Sequence, residues 1–235
     1  MAANNISLGQ HWLYNREILN EIASLAGEGE LCVEIGPGLG TLTSSLFKRF
    51  NKVIAIEYDA RLADNLPGSF PGKNLEVINA DVLDFDFKNI PGEYVVAGNI
   101  PYYITSPIIE KILIAEHLPK RAVLLMQKEV AERIVSEKSS VLSLFVKNRA
   151  KATLGPLVKR DEFTPPPKVD SQVLILEPFC SGPKYDETVM KLIKRAFSNP
   201  RKKLKHNIPG VPEKYAELRP ENLDLDDFCA IMKAC

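Results

Sequence analysis

The chain has 235 residues, 45% hydrophobic and 26% charged, with 30 Lys and Arg exactly balanced by 30 Asp and Glu. This is the make-up of a globular chain that builds its own core, and it excludes a disordered or collagen-like one. No apolar run nears the roughly 18 residues of a membrane span, and the amino terminus has neither a signal-peptide pattern nor transit-peptide arginines, so the reading is cytoplasmic with no membrane partner.

In chain order, Ile18, Leu19, Ile22 and Leu25 share one face of a helix over Asn15 to Ala26. LCVEI (31–35) is a short apolar run ending in glycines, the pattern of a strand buried on both faces. A helix is expected over Leu39 to Phe50, a strand over Val53–Glu57, and a helix near Ala60–Leu66. LEVIN (75–79) and YVVAG (94–98) read as the third and fourth strands. Thr105–Ala115 is helical with Pro107 near its start, RAVLLMQ (121–127) is the fifth strand, and a charged helix covers Lys128–Ser136. Strands alternating with helices in this way indicate an α/β fold with a parallel, doubly wound sheet. The less regular 150–176 supplies the last two strands, one of them antiparallel. A boundary is expected near residue 180, with a first domain over 1–180 and a small helical one over 181–235, where Thr188–Phe197 is a clear helix.

Zero net charge conceals an uneven distribution. Residues 1–110 hold 7 Lys and Arg against 14 Asp and Glu, 111–206 hold 20 against 10, and 207–235 hold 3 against 6. The middle of the chain is therefore a basic block of the kind that faces phosphates, although a solvated surface gives the same count. Cys32, Cys180, Cys229 and Cys235 show no CxxC spacing and no histidine cluster, so the expectation is idle thiols in a reducing compartment and no metal.

Gly36-Pro37-Gly38-Leu39-Gly40 runs from the first predicted strand toward a helix, where glycines let the chain turn sharply and a ligand approach closely. Glu57 lies 21 residues after Gly36 at the end of the second strand, where a carboxylate accepts from ribose hydroxyls. Asp81 follows the third strand, within reach of the adenine amine of the same nucleoside. A dinucleotide and S-adenosylmethionine both suit such a site. The G-x-G-x-G spacing, with Glu34 two residues ahead of it and Pro37 lacking an N–H, leans toward S-adenosylmethionine without settling the choice.

Asn99-Ile100-Pro101-Tyr102 follows the fourth strand, at the carboxyl end of the sheet. The Asn99 side-chain oxygen and the Ile100 carbonyl suit the two N–H groups of an exocyclic amine. Pro101 stiffens the turn, and Tyr102 offers a face on which a flipped base stacks.

Several strings together resemble the bacterial KsgA/RsmA family of small-subunit rRNA adenine dimethyltransferases: SLGQHWL (7–13), VEIGPGLGTLT (33–43), IEYD (56–59), NADVLDF (79–85), GNIPYYITSPII (98–109), LMQKEVAERI (125–134), FTPPPKVDS (163–171) and AFSNPRKKLKHNI (196–208). The resemblance implies a Rossmann-like class I methyltransferase domain with a small helical carboxyl-terminal domain. It implies an S-adenosylmethionine pocket lined by Gln10, His11, Leu13, Gly36, Gly38, Glu57, Asp81 and Asn99, with S-adenosylhomocysteine as product. Asn99, Pro101 and Tyr102 match the catalytic loop, and Phe163 an aromatic that helps to hold the target base. Lys128, Arg133, Lys168, Arg201, Lys202, Lys203 and Lys205 become candidates for RNA contact. The implied partner is 16S rRNA in the small ribosomal subunit or its precursor, and the chain is read as monomeric. Where relatives carry Gly-Arg-Leu-Ser, this chain has Ser139-Ser140-Val141-Leu142-Ser143, and ANNIS ahead of GQ is neutral where relatives are basic. Erythromycin-resistance methyltransferases of large-subunit rRNA share the Asn-Ile-Pro-Tyr loop, and a non-catalytic assembly factor on the same scaffold is the alternative from another class.

Overall fold

Asn15 starts the first helix. Its side-chain oxygen accepts from the backbone N–H groups of Glu17 and Ile18, so α1 (Arg16–Ala26) begins with two orphan donors satisfied. Leu19, Ile22, Ala23 and Ala26 then recur on one face and are buried. The structure is a computed structural model and describes residues 10–234. ANNIS and Gly9 therefore lie outside the described residues, as do the first three residues of SLGQHWL.

The strands are β1 (Trp12–Leu13), β2 (Gly29–Ile35), β3 (Phe50–Glu57), β4 (Leu75–Asn79), β5 (Val95–Asn99), β6 (Ala122–Gln127), β7 (Ala150–Val158), β8 (Phe163–Thr164) and β9 (Ser171–Pro178). Seven of them form one sheet in the order β4-β3-β2-β5-β6-β9-β7. From β4 to β6 the pairing is parallel, and β9 lies antiparallel to β6. β1 and β8 make a separate antiparallel pair that sets Trp12 opposite Thr164 and Leu13 opposite Phe163. The helices α2 (Thr41–Leu46), α3 (Ala60–Asn65), α4 (Thr105–Leu113) and α5 (Lys128–Val135) follow β2, β3, β5 and β6. This is the Rossmann-like α/β arrangement that the strand and helix alternation implied. The strand order reverses between β2 and β5, so a crevice opens there beyond the carboxyl ends of the parallel strands.

Two elements differ from expectation. The helix expected over 39–50 is only α2, because Phe50 already pairs with Gly29 in the parallel ladder and the Arg49 carbonyl accepts from the Gly29 N–H. An unexpected helix, α6 (Val141–Arg149), fills the gap ahead of β7. Its Ser140 and Ser143 form a reciprocal capping box, so the string that replaces Gly-Arg-Leu-Ser is a helix start.

The chain divides into two compact units. The first ends at Ala131 and resumes over Thr153–Pro178, and the second comprises Glu132–Ala152 and everything from Phe179 onward. The second unit thus takes in 132–152, which the sequence reading assigns to the first domain. The physical reason is burial: Leu144 of α6 packs in one cluster with Ile193 and Ala196 of α7 (Glu187–Ala196) and Phe228 and Ile231 of the last helix, α8 (Leu225–Ala234). Asn148, fully buried, holds the Tyr185 N–H and carbonyl on this cluster's edge. In the first unit one core cluster lies between α1 and the sheet, with Leu19, Ile22, Val53, Ala97, Val123 and Val173 among its members, and α4 buries Ile108, Ile109 and Ile112 outside it. Among the described residues no helix is long and apolar enough to cross a membrane.

Candidate active site

The floor of the crevice depends on close backbone approach. At Gly98 a Cβ would lie 2.7 Å from the Ile35 carbonyl oxygen, so only glycine lets β5 pass the end of β2 undisturbed. At Gly38 φ is +57°, and a Cβ would lie 2.2 Å from the indole of Trp12, which covers the loop. The Gly38 N–H donates instead to Oε2 of Glu57 at 3.0 Å, and Oε1 of that carboxylate accepts from the Asp59 N–H at 2.9 Å. The acid at the end of β3 is thus tied to the turn after β2. Burial pushes the Glu57 carboxyl up, and these two N–H groups work against that rise.

Deeper in the same place sits Glu34. It is fully buried, and its Oε2 accepts from the Thr43 hydroxyl at 2.6 Å. Burial, opposed by the Thr43 hydrogen bond and assisted by the charge of Glu57, pushes this carboxyl up to about 8. Burial thus favours the uncharged form of Glu34, which lines the crevice and accepts from Thr43.

On the opposite side is the segment after β5. Asn99 lines the crevice, and its Nδ2 donates to the His11 carbonyl at 3.1 Å, which leaves Oδ1 as the amide's acceptor. The His11 ring stacks on Tyr102 with centroids 5.9 Å apart and an interplanar angle of 24°. His11 Nδ1 lies 2.8 Å from the Pro165 carbonyl and must donate to it, so the neutral ring has its lone pair on Nε2. Asp81 accepts the Leu83 N–H on one oxygen, as the first residue of the turn after β4.

These residues enclose a cavity of about 320 Å³, within the range of small-ligand sites, roughly 300–1,000 Å³. The structure brings together on its walls Gln10, His11 and Leu13, then Gly36, Gly38 and Glu57, and then Asp81, Asn99, Pro101 and Tyr102. Phe163 is the exception. It is 2% exposed, does not line the cavity, and packs in the core with Leu13, Leu19 and Val158. The cause is its pairing opposite Leu13, which turns an apolar ring inward beneath β1.

Sequence reasoning missed several wall residues. Trp12 had no signal beyond its size. Tyr58 and Tyr103 line the cavity and yet are 63% and 62% exposed, and their adjacency to Glu57 and Tyr102 was the available clue. Ser171, behind the wall with its Oγ 2.6 Å from the Tyr102 hydroxyl, had no signal beyond being the last residue of FTPPPKVDS. Among the described residues no group of three or more His, Cys, Asp and Glu is placed to hold a metal.

The sequence matches the ribosomal RNA adenine dimethylase family over residues 1–218. The chain belongs to that family. It is 38% identical to a ribosomal RNA small subunit methyltransferase A of Geobacter sulfurreducens, covering 97% of this chain and 93% of that one. It is 33% identical to the corresponding protein of Mycoplasma mycoides, covering 94% and 93%. A dimethyladenosine transferase from Plasmodium falciparum superposes with a TM-score of 0.80 at 31% identity over 95% of this chain and 96% of that one. The 23S rRNA methyltransferase ErmE gives 0.77 at 24% identity over 95% and 98%, a likeness of fold.

The candidate RNA contacts of this ribosomal RNA adenine dimethylase chain fall in both units. In the first, Lys168 is exposed and Lys128 is half-buried, its N–H donating to the Asp170 carbonyl. In the second, Arg133, Arg201, Lys202, Lys203 and Lys205 are all exposed. Lys203 and Lys205 each bond one oxygen of Glu217 at 2.5 Å, and together they hold its carboxyl down at about 2.

Proposed function

We propose that the protein transfers methyl groups from S-adenosylmethionine to the exocyclic N6 amines of two adjacent adenosines in the 3′-terminal hairpin of 16S rRNA, making dimethyladenosine during small-subunit biogenesis. The observation that carries this reading is the fixed orientation of Asn99, whose Nδ2 is committed to the His11 carbonyl. An acceptor held in that way suits an incoming amine, which has protons to offer and a lone pair to free.

The residues present fit the cofactor. The Gly36–Gly38 turn lines the cavity with backbone that carries no side chain, and each Glu57 oxygen keeps a lone pair for a ribose hydroxyl after accepting one backbone N–H. Asp81 stands at the end of β4 for the adenine amine, and Gln10, His11 and Leu13 close the other side. When bound, S-adenosylmethionine supplies a methyl group already activated on a sulfonium.

The chain's own residues then have to align the amine. Its lone pair is delocalised into the purine ring, so Asn99 Oδ1 and the Ile100 carbonyl accept its two N–H bonds and favour a more tetrahedral nitrogen. Pro101 stiffens the turn, and Tyr102 gives the base a face and the developing cation a π-system. Alignment supplies the rate enhancement, with no strong base required. Phe163 supports β1 from the core and makes no contact with the base in this scheme. The basic residues in each unit meet rRNA phosphates.

The deciding experiment supplies the purified protein and radiolabelled S-adenosylmethionine with small subunits lacking the modification and, separately, with large subunits. Dimethyladenosine in the small-subunit 3′ hairpin is expected. Label confined to the large subunit would replace the proposed substrate. Cofactor binding without transfer to either would leave an assembly factor.

A further inference from the structure

Tyr102 is held at both its ring and its tip. The His11 imidazole lies against one face, and the phenol hydroxyl lies 2.6 Å from Ser171 Oγ. Ser171 is fully buried at the first position of β9, opposite Gln127 at the end of β6. The residue before it is fixed as well. The Asp170 carbonyl accepts from the Lys128 N–H at 3.0 Å, and its carboxylate accepts from the Arg160 N–H and Lys159 Nζ, each at 3.1 Å. The hydroxyl of Ser171 therefore sits on backbone fixed by the sheet, and the ring it holds projects from the first residue of a short 3-10 turn, Tyr102–Ile104.

A partly buried aromatic side chain can choose among staggered wells about its Cα–Cβ bond, and one hydrogen bond at its far end favours a single well. With His11 on one face, only the other face is left for a base. We propose that Ser171 is a positioning residue for methyl transfer: by holding the Tyr102 hydroxyl it fixes the long axis of the ring, while His11 against one face restrains its plane, so that the ring stands where the target adenine stacks. The proposal rests on the reading of Tyr102 as the base platform. It adds a residue from the opposite end of the first unit, 69 positions along the chain.

The test compares Ser171→Ala, Tyr102→Phe and the double variant. Three quantities are read: the single-turnover transfer rate with saturating RNA and cofactor, the S-adenosylhomocysteine affinity by calorimetry, and the quenching of a fluorescent aminopurine placed at the target position of an RNA hairpin. The quenching needs no turnover. Each single variant is expected to lose about five- to tenfold in rate and most of the quenching, with S-adenosylhomocysteine affinity within about twofold of wild type. The double variant should be no slower than the slower single, because both remove the same bond. Rate losses that multiply in the double variant, or a wild-type rate in Ser171→Ala, would overturn the proposal. Tyr102→Phe keeps the ring and tests the same bond should Ser171→Ala fail to fold; wild-type behaviour of that variant would overturn the proposal too. A wild-type protein that neither quenches nor methylates any rRNA would overturn the function instead, which separates the two failures.

Discussion

The side-chain amide of Asn99 donates to the main-chain carbonyl of His11, 88 residues earlier in the chain. That bond leaves the oxygen end of the amide to accept. A flipped amide would set two acceptors against each other and turn a donor toward the amine, so the contact selects the only useful rotamer.

Asn99→Ala is accordingly expected to lower single-turnover methyl transfer by at least about a hundredfold, the scale of losing one oriented polar contact in a reacting site. S-adenosylhomocysteine binding, followed by calorimetry, should weaken but remain measurable. Turnover at the wild-type rate would remove Asn99 from the mechanism.

Gly38→Ala puts a methyl group into the Trp12 ring and a side chain at a φ of +57°. The variant should lose about 1–3 kcal/mol of stability in urea denaturation and bind S-adenosylhomocysteine at least tenfold more weakly. A second change, Trp12→Ala, should restore part of the loss by opening the space. An unaltered affinity in Gly38→Ala would show that the loop does not hold the cofactor.

Glu34 gives the fold a pH dependence. Its carboxyl titrates near 8 in the folded protein against an ordinary 4.5. Between those values the native state keeps a proton that the unfolded state has lost, so stability falls as pH rises through that window and levels off above it. At about 1.4 kcal/mol per unit the contribution is a few kcal/mol. Glu34→Gln keeps an acceptor for Thr43 and carries no charge. Its stability relative to wild type should therefore grow from pH 5 to pH 8, read from urea midpoints along a pH series. Parallel curves for the two proteins would mean that Glu34 does not titrate there.

The basic segment of the second unit is tested by salt. Arg201→Gln with Lys202→Gln should weaken binding to an rRNA hairpin and reduce the slope of log affinity against log salt by about 1.5, at roughly 0.7–0.9 per phosphate contact. Glu217→Gln works in the other direction, because it releases Lys203 and Lys205 from the carboxylate they share. It should tighten binding several-fold at low salt and steepen the slope. No change in either variant would place the RNA elsewhere.

The parts of the site legible in the sequence are those set by short-range constraints. Gly36, Gly38 and Asp81 follow strand ends and Glu57 and Asn99 are the last residues of theirs, and strand ends are marked by apolar runs that stop at glycine or a polar residue. Helix α6 was not legible because its buried face includes Ser143 and Asn148, two polar residues that interrupt the apolar period; Ser143 is satisfied within the capping box and Asn148 by Tyr185, 37 positions on. Ser171 and Trp12 were not legible for a related reason: their significance lies in contacts across 69 and 26 positions, and a single sequence carries no trace of those pairings. Phe163 shows the converse. Its string carried a family meaning, while the local pairing with Leu13 put the ring in the core.

The small β1–β8 ribbon bears on the order in which the protein matures. His11 reaches the Pro165 carbonyl across 154 residues, and Trp12 and Leu13 pair with Thr164 and Phe163. A growing chain emerges from its amino end, so this segment has to wait for its partners until nearly all of the first unit has been made. A nascent fragment that stops short of Phe163 already carries the glycine turn, Glu57, Asp81 and Asn99, yet its β1 has no β8 to pair with and His11 has no Pro165 to fix its ring. Loop closures of this length are slow. The β1–β8 side of the crevice thus rests on contacts that can form only once residues 163–165 have been made.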